Sequence, residues 1–77
     1  MSDEIKAVIG IWSDYFLVRI NGSAKFRINK NTIYVDKHDD LTLFYIHHKD
    51  GSNMRVYCTC ENLIPTCRRL RKMMEAE

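Results

Sequence analysis

The chain has 77 residues, of which 45% are hydrophobic and 29% charged, with 12 basic against 10 acidic side chains for a net charge of +2. That length predicts a single small domain over residues 1–77, and the composition excludes a disordered or collagen-like polymer. A charge this close to balance does not by itself select nucleic acid as a partner.

The longest uncharged apolar runs, residues 7–12, 15–18 and 41–46, fall far short of the ~20 residues of a membrane span. Ser2, Asp3 and Glu4 carry the wrong charge for the basic leader of a signal peptide. The three cysteines, Cys58, Cys60 and Cys67, form an odd set that points to a reducing, cytoplasmic setting rather than a disulfide framework. Combined with His38, His47 or His48 they match none of the usual zinc spacings, so core packing is expected and neither a metal nor a cofactor.

Residues 4–60 read as β-rich. Ile5, Ala7, Ile9 and Ile11 alternate, and their β-branched character favours a strand. Ile5, Val8, Ile9 and Trp12 also match a helical stripe, with Ser2 as a possible N-cap. Residues 15–20 and 24–28 form a first hairpin. A two-residue Asn21-Gly22 loop would set Lys25 and Arg27 beside Val18 and Phe16. A three-residue loop through Ser23 gathers Phe16, Val18, Ile20, Ala24, Phe26 and Ile28 on one face. Burial favours the longer loop, which leaves Arg19, Lys25 and Arg27 together on the outer face. Asn29-Lys30-Asn31 is a turn, Ile33-Tyr34-Val35 a short strand, and the polar run 36–40 a loop.

A second hairpin joins residues 41–47 to 54–60. An Asp50-Gly51 turn of type I′ pairs Lys49 with Ser52. It aligns Leu41, Leu43, Tyr45 and His47 with Cys60, Cys58, Val56 and Met54 on an apolar face. Thr42, Phe44, Ile46 and His48 then meet Thr59, Tyr57, Arg55 and Asn53 on a mixed one. From residue 61 the period changes: Leu63, Thr66, Cys67, Leu70 and Met74 mark one side of a helix over 61–75, with Pro65 tolerated in its first turn and Arg68, Arg69, Arg71 and Lys72 on the outside. The expected fold is α+β, an antiparallel meander of five or six strands with one C-terminal helix packed on the sheet.

Residues 16–70 resemble the N-terminal part of a LytTR-type DNA-binding domain. The likeness rests on the Ile33-Tyr34-Val35 strand, the Asp50-Gly51 turn and the helix leucines Leu63 and Leu70. The chain lacks the strand that follows this helix in that family. The resemblance implies a transcription-regulatory module whose polar loop, residues 37–41, enters the major groove through Lys37 and His38.

Two functional expectations follow. In the first, DNA is held by Lys37, His38, Arg19, Lys25, Arg27 and the helical cluster Arg68, Arg69, Arg71 and Lys72, each cation releasing counterions from the phosphate backbone. In the second, the mixed face bearing Phe44, Ile46, Arg55 and Tyr57 binds a protein. Tyr45, Tyr57, Phe44 and Trp12 are candidate stacking platforms for single-stranded nucleic acid. No nucleophile and pocket stand beside His47 or His48, so an enzyme is not expected. A core this small favours a homodimer formed by open strand edges or by the mixed face.

Overall fold

The computed structural model describes residues 3–77; Ser2, and with it the expected N-cap, lies outside the described residues. The chain runs through a first helix, α1 (Asp3–Ile11), then strands β1 (Phe16–Ile20), β2 (Ser23–Ile28), β3 (Asn31–His38), β4 (Leu41–His47) and β5 (Asn53–Thr59), and ends in a second helix, α2 (Leu63–Glu75). The five strands form one antiparallel meander in the order β1-β2-β3-β4-β5. The α+β class and the C-terminal helix are as the sequence indicates.

The segment expected to be a strand at residues 5–11 is a helix. Ile5, Val8 and Trp12 are all fully buried, so the helical stripe and not the alternating one is realised. The reason is tertiary: β2, β3 and β4 present a broad apolar face that α2 covers only in part, and a helix lays three large side chains across the remainder. Asp3 and Glu4 suit its first turn, where carboxylates oppose the helix dipole. In α2, Leu63, Thr66, Cys67, Leu70 and Met74 are the buried residues, which is the stripe read from the sequence; a 3₁₀ turn, Cys60–Asn62, precedes it.

Both hairpin loops differ from expectation, in opposite senses. The first is the shorter: Ile20 pairs with Ser23 around Asn21-Gly22, and Asn21 takes the left-handed conformation at φ 55. Asparagine tolerates that region where Ser23 would not. Val18 and Ile20 consequently leave the core face, and a bulge between Phe16 and Val18 returns Phe16 to a position opposite Phe26. Turn chemistry therefore sets the tip, and one inserted residue restores burial farther along.

The second loop is the longer. His48 and Ser52 close it, with His48 N–H donating to Ser52 O at 2.8 Å and Gly51 N–H to His48 O at 3.0 Å. Gly51 occupies the left-handed position at φ 92. Asp50 Oδ1 accepts from Ser52 N–H at 2.9 Å and Ser52 Oγ–H at 2.6 Å. The added residue inverts β4 relative to the two-residue register: Phe44 now opposes Val56, Ile46 opposes Met54, and Tyr45 opposes Arg55. Phe44 and Ile46 are fully buried while Leu43 faces outward, half-buried. Sorting is cleaner this way, because the Tyr45 phenol and the Arg55 guanidinium stay in water and the two purely hydrocarbon side chains do not.

The polar run 36–40 is not a loop either. β3 continues through His38, and only Asp39 and Asp40 make the turn before Leu41. Trp12 is the keystone of the core, with its ring edge-on to Phe26 at 5.3 Å and to Phe44 at 5.6 Å. The fold is thus two layers, helices on one side and sheet on the other.

Candidate functional site

Both helices cover the same face of the sheet, so the other face is open. Its composition follows from strand alternation: where Phe26, Ile33, Phe44 and Val56 point inward, their neighbours point out. The register links one transverse row across all five strands. Val18 stands opposite Lys25, Lys25 opposite Tyr34, Tyr34 opposite Tyr45, and Tyr45 opposite Arg55. At one end of the tyrosine pair Lys25 Nζ lies 5.6 Å from the Tyr34 ring centre; at the other, Arg55 Cζ lies 4.8 Å from that of Tyr45. The His47 ring sits edge-on to both, 4.6 Å from Tyr45 and 5.9 Å from Tyr34.

On one side of this row, Arg27, Thr32, His47 and Asn53 form a second. On the other side lie Asp36, Leu43 and Tyr57, then His38 and Leu41, with the His38 and Tyr57 rings 6.3 Å apart. Tyr57 is 50% exposed. A shallow hollow of about 360 Å³ opens beside the row, lined by Tyr45, Asn53, Met54 and Arg55. The face is electrostatically polarised: Lys25, Arg27 and Arg55 flank the tyrosines, while Asp36, Asp39 and Asp40 gather at the end where β3 turns into β4.

The expected DNA-contacting residues do not share one surface. Arg19 opposes the buried Ala24 and so leaves the edge strand on the helix side, separated from Lys25 and Arg27. Lys37 also points to the helix side, where its Nζ meets Glu4 of α1 at 3.5 Å. His38 points the other way, so the two cannot enter a groove together. Arg68, Arg69 and Lys72 are exposed on α2, in the layer opposite the open face. Arg71 is half-buried and donates from Nη1 to Ile11 O at 3.2 Å, tying the two helices. The expected protein-binding face is likewise split: Phe44 and Ile46 are core, and only Arg55 and Tyr57 reach solvent. Among the stacking candidates, Tyr45 and Tyr57 lie on the open face, whereas Trp12 and Phe44 are fully buried.

Sequence reading missed Tyr34 as part of a surface. Its signal was present: Thr32, Tyr34, Asp36 and His38 alternate with Asn31, Ile33 and Val35 in one unbroken strand. The cysteines offer no activated thiol in the core, since burial pushes Cys58 up and Cys67 up to about 12. Among the described residues no group of three or more His, Cys, Asp or Glu side chains is placed to hold a metal, and no helix is long and apolar enough to cross a membrane. No family model, curated protein or solved structure matches the chain.

Proposed function

We propose that this chain is a small, non-enzymatic DNA-binding module with a regulatory role in the cytoplasm, and that it holds single-stranded DNA on the open sheet face. The observation that carries this reading is the Tyr34–Tyr45 pair with Lys25 against one end and Arg55 against the other. Bases stack on aromatic side chains at ~1–3 kcal/mol each, whatever their identity. Flanking cations draw the phosphates and release counterions. The helices lie on the opposite layer, and the turns joining β1 to β2, β2 to β3 and β3 to β4 have two residues each. A broad face without a projecting element suits a flexible strand better than a duplex groove.

A LytTR-type duplex reader is the second form of the proposal. Its support is His38 on the open face; Lys37, its companion in that family's loop, is engaged by Glu4 instead. A protein partner is the competing reading, favoured by Leu41, Leu43 and Tyr57 beside Arg55.

Fluorescence anisotropy with a labelled oligothymidylate, an RNA of the same length and a duplex, at low and moderate salt, separates these. Expected is binding to the single strand that weakens with salt, and that falls roughly five- to hundredfold in Tyr45→Ala, the loss of one stacked base. Tyr45→Ala binding as tightly as the parent overturns the proposal. Capture of a cellular protein that is lost on Tyr57→Ala, with no oligonucleotide bound, establishes the competitor.

A further inference from the structure

The sheet has two open edges, and they differ in character. β5 exposes Asn53, Arg55, Tyr57 and Thr59. β1 exposes Leu17, Val18 and Ile20 at 52%, 44% and 50%, three of the six large hydrophobic side chains exposed among the described residues. Edge strands normally carry charges, proline or a bulge, or hide beneath another element, because their outward N–H and C=O groups invite pairing. β1 has no proline, a single charge, Arg19, and one bulge at its Phe16 end, so from Val18 to Ile20 the strand runs regularly with little to blunt it.

We propose that β1 pairs antiparallel with β1 of a second copy of this chain, across a twofold axis through Val18. Only one antiparallel register overlaps all five residues, Phe16–Ile20. It sets Val18 against Val18 of the partner subunit, Leu17 against Arg19 of the partner subunit, and Phe16 against Ile20 of the partner subunit. The two arginines are thereby kept apart. A shift that brings them face to face loses paired residues and opposes like charges.

Hydrogen bonding fits the same register. Counting from the two-residue turn, Ile20 and Val18 bond toward β2, and Arg19 aims its N–H and C=O outward. Leu17, at the bulge, has no opposite residue in β2. Arg19 and Leu17 are the residues this seam asks to bond across it, with Val18 as the closely spaced, unbonded pair on the axis.

A second copy is favoured over an unrelated strand by this self-complementarity, since closed twofold pairs use one patch twice. Small size favours it too: a domain of this length hides only about 60% of its unfolded surface by itself. The row Val18, Lys25, Tyr34, Tyr45, Arg55 then continues through the axis into its twofold-related copy across ten strands. A seam of five-residue strands lies at the small end of stable interfaces, so a weak, reversible dimer is expected.

Sedimentation equilibrium of the full chain, from low micromolar to near-millimolar concentration, should show a reversible monomer–dimer equilibrium. Val18→Lys places two cations on the axis and is expected to weaken it about tenfold or more with the circular dichroism spectrum unchanged; Thr59→Lys on the opposite edge should leave it as it was. In a Cys60→Ser background, Val18→Cys should give a disulfide-linked dimer under mild oxidation, because unbonded cross-strand pairs stand ~4.5 Å apart at Cα. A chain that stays monomeric throughout overturns the proposal, and so does a dimer indifferent to Val18→Lys. Neither result bears on oligonucleotide binding, which a monomer can perform.

Discussion

The Trp12 indole donates from Nε1 to the Cys67 carbonyl at 3.2 Å, fastening the end of α1 to the middle of α2 while its ring lies against Phe26 and Phe44 of the sheet. One side chain therefore joins all three parts of the core. Trp12→Ala is expected to cost ~3–5 kcal/mol, the range for deleting a large buried aromatic. Trp12→Phe keeps most of the apolar contact and loses the hydrogen bond, so it should cost ~1–2 kcal/mol. Urea unfolding midpoints measure both, and a Trp12→Ala variant as stable as the parent would show that α1 does not contribute to the core.

Gly51 tests the three-residue loop. At φ 92 a Cβ meets no atom within 4 Å, so the penalty of a side chain is purely conformational. Gly51→Ala should cost roughly 1–2 kcal/mol, a fall in Tm of at least ~4 °C for a domain of this size. Gly22→Ala, where φ lies outside the left-handed region, should be nearly neutral. Equal effects at both positions would refute this assignment of the turns.

Thr42 is fully buried opposite Cys58, and its hydroxyl has no hydrogen-bond partner among the described residues. Burying an unpaired hydroxyl costs about 1–3 kcal/mol. Thr42→Val has nearly the same shape and removes that cost, so thermal unfolding should move upward, by an amount equivalent to roughly 1 kcal/mol. A downward shift would mean that the hydroxyl is satisfied.

Cys67 is raised to about 12 from an ordinary 9.0, by desolvation first and by its neighbour Cys58 second. Cys58 is raised by burial as well, and the hydrogen bond to Glu75 lifts the Tyr15 phenol. All three groups hold their protons more tightly when folded than when unfolded. Their contribution to stability is whole below about pH 9 and drains away as the pH climbs toward about 12. Melting temperatures recorded across that interval should fall, and less steeply in Cys67→Ala than in the parent. In parallel, a thiol reagent at neutral pH should label the exposed Cys60 quickly and reach Cys58 and Cys67 only on unfolding.

Much of the architecture is legible in the residues. α2 is marked by a stripe that only a helix can gather on one side, and every member of it is buried. The strands of both hairpins lie close to where alternation puts them. The open face was harder, because membership depends on parity: one residue more or less in a loop exchanges every side chain of a strand between core and solvent. Asn21-Gly22 and Asp50-Gly51 look alike as turn signals, yet the first closes a two-residue loop and the second ends a three-residue one. Turn preference is a local signal, whereas burying Phe44 and Ile46 together is worth several kilocalories, and no local pattern weighs one against the other.

By itself, then, the sequence determined an antiparallel meander closed by a C-terminal amphipathic helix, in a chain too balanced in charge to advertise a partner. The assembled core decided the rest: that residues 3–11 coil over the sheet, that Phe44 and not Tyr45 goes inside, and that Lys37 turns away from His38 toward Glu4. These are choices between near-equal local alternatives, and they are settled by how much hydrocarbon each one removes from water once both helices and all five strands are in place.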